Sequence, residues 1–297
     1  MFAGTKSGGV FGRIIKNKMK LRFTKMQGCG NDFILIDDRE ERIAEEKRGG
    51  IARFLCQRRF SVGADGVLVL CKPTMSSYDV RMRVFNADGS EAEMSGNGMR
   101  CFARYVYERG IVRSRKTRVE TLGGLIVPEV EVDEKGLVVT SIRVFMGKPV
   151  FDKIDETFFV NEQIGEITLT SLSLGNPHAV VRVDSFEGID VDTVGKSIES
   201  HPAFPDRTNV DFVLLNEKKR NEISVRTYER GVGETLSCGT GSTASVLALN
   251  MLGYVNTNEP VTVHTKGGDL VVELKEEGAY LVGPAEVVCE GEVSVRN

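Results

Sequence analysis

Arg83-Val-Phe-Asn-Ala-Asp-Gly-Ser-Glu-Ala-Glu-Met-Ser-Gly-Asn-Gly98 has an echo 143 residues later in Arg226-Thr-Tyr-Glu-Arg-Gly-Val-Gly-Glu-Thr-Leu-Ser-Cys-Gly-Thr-Gly241. Arg83, Asn86, Glu91, Ser95, Gly96 and Gly98 fall on Arg226, Glu229, Glu234, Cys238, Gly239 and Gly241, and each copy runs into a helix-like segment closed by Gly110 or Gly253. Outward from this block the matches continue in the same order. Gly30-Asn31 pairs with Gly175-Asn176, Asp65 with Asp211, and Glu120-Thr-Leu-Gly-Gly124 with His264-Thr-Lys-Gly-Gly268, at offsets of 144 to 146. One matched glycine pair is chance; four ordered matches at nearly one offset are an internal repeat.

Each half reads as short β-branched runs with Gly-rich turns around one principal helix, expected over 99–107 and 243–252. The second of these is apolar on nearly every side (Ala244, Val246, Leu247, Ala248, Leu249, Met251, Leu252), as a helix inside a core must be. The expected fold is α+β: two pseudo-symmetric halves, each a curved mixed or antiparallel β-sheet or barrel around a central buried helix. Residues 20–146 would form the N-terminal half, 147–284 the C-terminal half, and 285–297 a strand returning to the first. Residues 1–19, which lack acidic residues and carry Lys6, Arg13, Lys16 and Lys18, read as a leader or a disordered tail.

With 39 basic and 42 acidic residues interspersed and a net charge of -3, no basic field points to nucleic acid. No apolar run is long enough to span a bilayer, so no membrane role is expected. Six dispersed cysteines, without C-x-x-C spacing, fit free thiols in a reducing cytoplasm. The expected partner is a small molecule.

A Ser or Cys followed by Gly-x-Gly at a helix start has a definite use. The glycines let the backbone turn with its N–H groups exposed, and the helix N-terminus attracts a carboxylate. The same potential would lower a cysteine pKa and bring thiolate within reach at neutral pH. Taken singly, Ser95 is an ordinary N-cap and Cys238 a small buried apolar residue. As a matched pair in two halves sharing a cleft, they describe two proton-transfer groups on opposite faces of one bound carbon. Gly-Asn-Gly and Gly-Thr-Gly are too short for a dinucleotide fingerprint, and no cofactor and no metal are expected.

The motifs Gly28-Cys-Gly-Asn-Asp-Phe33, Gly63-Ala-Asp-Gly66, Asn86-Ala-Asp-Gly-Ser-Glu91, Gly96-Asn-Gly98 with Arg100-Cys101, Gly175-Asn-Pro-His178, Asn209-Val-Asp-Phe212 and Glu229-Arg-Gly-Val-Gly-Glu-Thr235 leading to Cys238 resemble those of the diaminopimelate epimerase family, from about Lys20 onward. The resemblance implies a cofactor-independent isomerase of lysine and peptidoglycan-precursor synthesis, cytoplasmic and homodimeric, in which one cysteine thiolate takes the α-proton while a second thiol delivers one to the opposite face. Cys238 matches one of those cysteines. Ser95 stands in place of the other, and its hydroxyl does not ionise in the accessible range. Two accounts of Ser95 remain: a deliberate replacement of cysteine, or a natural variant with weaker or one-sided chemistry. A racemase of lysine, histidine or glutamate and a non-catalytic amino-acid-binding relative are the alternative functions.

The resemblance also implies that Asn31, Asn86, Asn176 and Asn209 bind substrate and that Glu229 and Arg230 receive its ammonium and carboxylate groups. The backbone N–H groups of Gly96, Asn97, Gly239 and Thr240 would hold the reacting carboxylate. His178 and Glu229 would assist the thiols. His201 and His264 match no motif.

Overall fold

The computed structural model describes residues 18–256 and 258–296. The leader expected over residues 1–19 lies outside these, except that residues 18 and 19 already belong to the first strand. The first half runs β1 (Lys18–Gly28), β2 (Asn31–Asp37), α1 (Arg48–Leu55), β3 (Gly66–Cys71), β4 (Val80–Asn86), β5 (Glu91–Ala92), α2 (Gly96–Glu108), β6 (Val119–Thr121) and β7 (Gly124–Ile126). β8 (Glu129–Val132) and β9 (Val139–Gly147) lead on to β10 (Val150–Asn161), β11 (Gly165–Ser173), β12 (Pro177–Val183), α3 (Val191–Glu199), β13 (Asn209–Leu215) and β14 (Glu222–Glu229). β15 (Gly233–Thr235), α4 (Gly239–Met251), β16 (Val261–Thr265), β17 (Gly268–Lys275), β18 (Gly278–Gly283) and β19 (Glu286–Arg296) complete the chain.

Two sheets result, and their strand orders repeat. The first is β19-β1-β2-β3-β4-β6-β7 with β5 on β4; the second is β10-β11-β12-β13-β14-β16-β17-β18-β9-β8 with β15 on β14. Parallel pairs occur at the same places in both, β2 with β3 and β4 with β6, then β12 with β13 and β14 with β16. The same ion pair pins the same hairpin twice: Arg83 to Glu91 at 2.6 Å and Arg226 to Glu234 at 2.7 Å. The two mixed sheets with their central helices are the α+β architecture read from the repeat.

β19 pairs antiparallel with β1, so the last strand does return to the first sheet. The alternating apolar run Ile126, Pro128, Val130 and Val132 forms two strands, β7 and β8, parted around Pro128. Proline lacks the N–H a ladder needs, so the sheet ends there. β8 and β9 then hydrogen-bond with the second sheet, Val144 opposite Leu281, while Val139, Ile142, Val144 and Met146 share the central core with α2. A cut at 146/147 therefore runs beside a continuous ladder.

Strand parity sorts the core into three. Leu68, Leu70, Met82 and Val84 face inward with Met99, Phe102 and Val106 of α2, and in one continuous cluster with the α4 residues Ala244, Val246, Leu247 and Leu249. Val67, Val69 and Phe85 face outward against Ile51 and Leu55 of α1, and Val210, Phe212 and Tyr228 against Val191 and Ile198 of α3. Burial of this apolar surface is the main drive to fold.

The register also corrects one repeat match. Phe33 opposes Gly66 and Leu68 opposes Val84 in the first sheet; His178 opposes Asn209 and Asp211 opposes Thr227 in the second. The counterpart of Asp211 is thus Leu68, not Asp65. A three-residue slip along an apolar run had hidden this, since matching Asp to Asp also brings similar β-branched residues into line.

Candidate active site

The sequence Ser-Gly-Asn-Gly and its echo Cys-Gly-Thr-Gly place a cap residue at each central helix. Ser95 is extended at φ −139, and its Oγ accepts from the N–H of Gly98 at 3.1 Å. Cys238 is extended at φ −120, and its Sγ accepts from the N–H of Gly241 at 3.4 Å. The helices therefore begin three to four residues earlier than expected, and the glycines form their first turns rather than loops before them. Their smallness serves close packing. A Cβ at Gly98 would lie 3.1 Å from Leu68 Cδ2, and one at Gly241 would lie 2.2 Å from Asp211 Oδ1.

The two helix starts meet. Asn97, in the first turn of α2, donates from Nδ2 to the carbonyl of Ser237, the residue before Cys238, and to Asn31 Oδ1, both at 3.2 Å. Its Oδ1 accepts from Arg100 at 2.9 Å. Arg100 is fully buried and also donates to the Pro284 carbonyl at 3.0 Å. No carboxylate pairs with it among the described residues, so its charge adds to the positive potential of both helix starts. On the other side Asn176 donates to Thr240 Oγ1 at 3.2 Å, and Thr240 Oγ1 lies 3.4 Å from Cys238 Sγ.

Cys238 is only 8% exposed. The depressed thiol pKa expected from a helix N-terminus is not what this environment gives. Burial pushes the thiol well above its ordinary value, and Glu229 and Asp211 push it further, outweighing the contacts from Thr240 and Gly241. Cys238 rests here as a thiol.

Glu229 ends β14 and accepts from Thr235 Oγ1 at 2.6 Å. Its withdrawal from water raises its carboxyl above the ordinary value despite that hydrogen bond. His178 is fully buried, with Nδ1 2.7 Å from Asp211 Oδ2, and Asp211 Oδ1 accepts from Thr227 Oγ1 at 2.7 Å. Asn209 donates to the Pro177 carbonyl at 2.8 Å and accepts from the N–H of Arg230 at 2.9 Å. The Arg230 side chain is exposed and reaches the Asp206 carbonyl at 3.0 Å. Asn86, exposed at the matching end of β4, turns to Ser90 Oγ at 3.0 Å, and Asn31 Nδ2 donates to Asp65 at 2.8 Å.

Asn31, Ser95, Gly96, Asn97, Asn176, Gly239 and Thr240 are thus drawn to the paired helix starts around Cys238, with His178, Asn209 and Glu229 in the strands of the second half beside them. His201 and His264 lie apart, at the Phe159 carbonyl and at Asp269. Asp211, Thr227 and Arg100 had no expected role in the site, although Asp211 and Arg100 stand in the matched motifs. An acid interrupting the apolar run Val210-Asp-Phe-Val213 was the available signal for the first. Among the described residues no group of His, Cys, Asp and Glu suits a metal ion, and no helix is long and apolar enough to cross a membrane. Two surface hollows of about 810 Å³, one beside Tyr254 and one beside Tyr105, lie away from these side chains and include neither Ser95 nor Cys238.

The diaminopimelate epimerase family model matches residues 23–151 and 170–288. The chain belongs to the diaminopimelate epimerase family. A diaminopimelate epimerase of Methanocaldococcus jannaschii is 44% identical over 92% of this chain and 98% of its own, and one of Pelotomaculum thermopropionicum is 45% identical over 93% and 100%. Among solved structures, a probable proline racemase from Agrobacterium radiobacter K84 superposes with a TM-score of 0.71 at 17% identity, covering 92% of each chain. A PhzF-family phenazine biosynthesis protein of Bacillus anthracis does so with 0.72 at 18%, covering 93% of this chain and 99% of its own. The last two likenesses are of fold.

Proposed function

We propose that this chain is an epimerase of diaminopimelate, working without a cofactor by moving the α-proton between the two faces of one carbon. The observation that carries the reading is the meeting of two capped helix starts, Ser95 and Cys238, tied by Asn97, in a chain whose family relatives bear that activity. The free N–H groups of two helix starts, backed by the buried Arg100 cation, suit a bound carboxylate and the charge that spreads onto it as the α-carbon loses its proton.

In this reading Cys238 exchanges the proton on one face. It starts as a thiol, so Glu229 and His178 are the groups that would take its proton when thiolate is required. Asn31, Asn86, Asn176 and Asn209 supply donors and acceptors to the amino-acid ends, and Glu229 and Arg230 a carboxylate and a guanidinium. Ser95 holds the position of the second proton carrier. No carboxylate or imidazole hydrogen-bonds its Oγ among the described residues, so the chain as it stands favours one-sided exchange. We infer a cytoplasmic homodimer serving lysine and peptidoglycan-precursor synthesis as its setting.

The test is solvent deuterium entering the α-position of diaminopimelate, compared with lysine and glutamate. Exchange fastest with diaminopimelate is the expected outcome. Exchange in none of the three, with Ser95 or with Ser95→Cys, would remove the acid/base reading.

A further inference from the structure

The two halves repeat each other in strand order, register and helix caps, yet under the helix starts they differ in kind. Phe33, Leu68 and Val84 are the inward-facing residues of the first sheet, all buried in the central core. The residues at the same register positions in the second sheet are His178, Asp211 and Thr227. Three apolar side chains beneath Ser95 are answered by three polar ones beneath Cys238. The helix glycines record the same exchange of neighbours: Gly98 packs on Leu68, Gly241 on Asp211 and Thr227.

Burying a carboxylate, an imidazole and a hydroxyl costs several kcal/mol unless each finds a partner. Here they partner one another, in a line. Asp211 accepts from Thr227 through Oδ1 and faces His178 Nδ1 through Oδ2. The atom left over is His178 Nε2, which is buried and has no hydrogen-bond partner. A carboxylate at Nδ1 requires a proton there. The neutral ring must then leave Nε2 bare, as an acceptor. A protonated ring would bury a second N–H with nothing to receive it.

We propose that Asp211 is a positioning residue that holds His178 in the Nδ1–H tautomer, with Thr227 fixing the carboxylate, and that this relay exists in the Cys238 half alone. The two faces of the site are then unequal in chemistry before the Ser95 and Cys238 difference is counted. In the Cys238 half a buried, bare nitrogen is held ready to take up a proton; in the Ser95 half the matching positions offer only hydrocarbon. The proton step balances simply: a proton taken up at Nε2 makes an imidazolium that the Asp211 carboxylate stabilises, and its return restores the bare ring. The link to turnover rests on the epimerase reading; the tautomer does not.

The test joins nitrogen NMR of the histidine rings to kinetics in the full chain and in Ser95→Cys. His178 should show a protonated Nδ1 and a bare Nε2, and Asp211→Leu, which installs the residue of the other half, should abolish that preference. Asp211→Asn, which keeps the shape should the leucine variant not fold, should lower α-deuterium exchange at least tenfold with little change in KM, and Asp211→Glu should restore part of it. A proton on Nε2 in the unaltered chain, or an Asp211→Asn exchange rate equal to that of the parent, would overturn the proposal. If neither parent exchanges deuterium, the reaction reading falls and the tautomer alone judges the relay.

Discussion

Asn97 Nδ2 donates to the Ser237 carbonyl at 3.2 Å, joining the first turn of α2 to the residue before Cys238. One buried amide therefore sets the spacing between the two capped helix starts. It also accepts from Arg100, which is fully buried.

Asn97→Ala should lower stability by about 1–3 kcal/mol, because it strands a guanidinium N–H and a carbonyl inside the protein. Denaturant unfolding measures the loss. Turnover should fall further than the loss of folded protein explains, as the helix starts are no longer held together. A variant as stable as the parent would show that solvent or another side chain takes over the bridge.

Gly98→Ala and Gly241→Ala should part company. Alanine gains about 1 kcal/mol of helix propensity over glycine at either position. At Gly98 the new methyl meets the mobile end of Leu68 and the Cβ of the capping Ser95, each at 3.1 Å, tight contacts that a few tenths of an ångström relieve, so gain and crowding nearly cancel. At Gly241 it meets the Asp211 carboxylate at 2.2 Å, and a loss of about 1–3 kcal/mol with displaced Asp211 is expected. Equal melting temperatures for the two variants would contradict this.

Alkaline pH should weaken the fold through buried thiols. Burial pushes Cys56 and Cys101 up to about 12 from 9.0. Between those values the unfolded chain has lost protons that the native chain retains, so stability is full below pH 9 and falls as pH rises, by roughly 1.4 kcal/mol per pH unit for each thiol. Urea midpoints at pH 8 and pH 10 measure the slope, and Cys101→Ala should flatten it. The exposed Cys289 should be the first cysteine alkylated at pH 8.

The repeat made most of this architecture legible, because turn glycines, the Arg83 and Arg226 ion pairs and the helix caps are local features that recur in order. Pairings across long separations were not legible. His178 and Asp211 are 33 residues apart on neighbouring parallel strands, and only the strand register brings them face to face. The same register was needed to see that Asp211 answers Leu68. The thiol pKa of Cys238 was not legible for a related reason: the helix start is visible in sequence, whereas the carboxylates of Glu229 and Asp211 and the depth of burial are products of the fold. The departure of β8 and β9 into the second sheet had one local cue, Pro128, within an otherwise persuasive alternation.

The central claim, that the positions of Ser95 and Cys238 act on opposite faces of one substrate carbon, is tested most directly by the rate at which L,L-diaminopimelate becomes the meso form in the chain and in Ser95→Cys. The expected result is slow or absent epimerisation with Ser95 and a gain on the order of a thousandfold with cysteine, the size of a restored acid/base group. Equal rates in the two forms would contradict it.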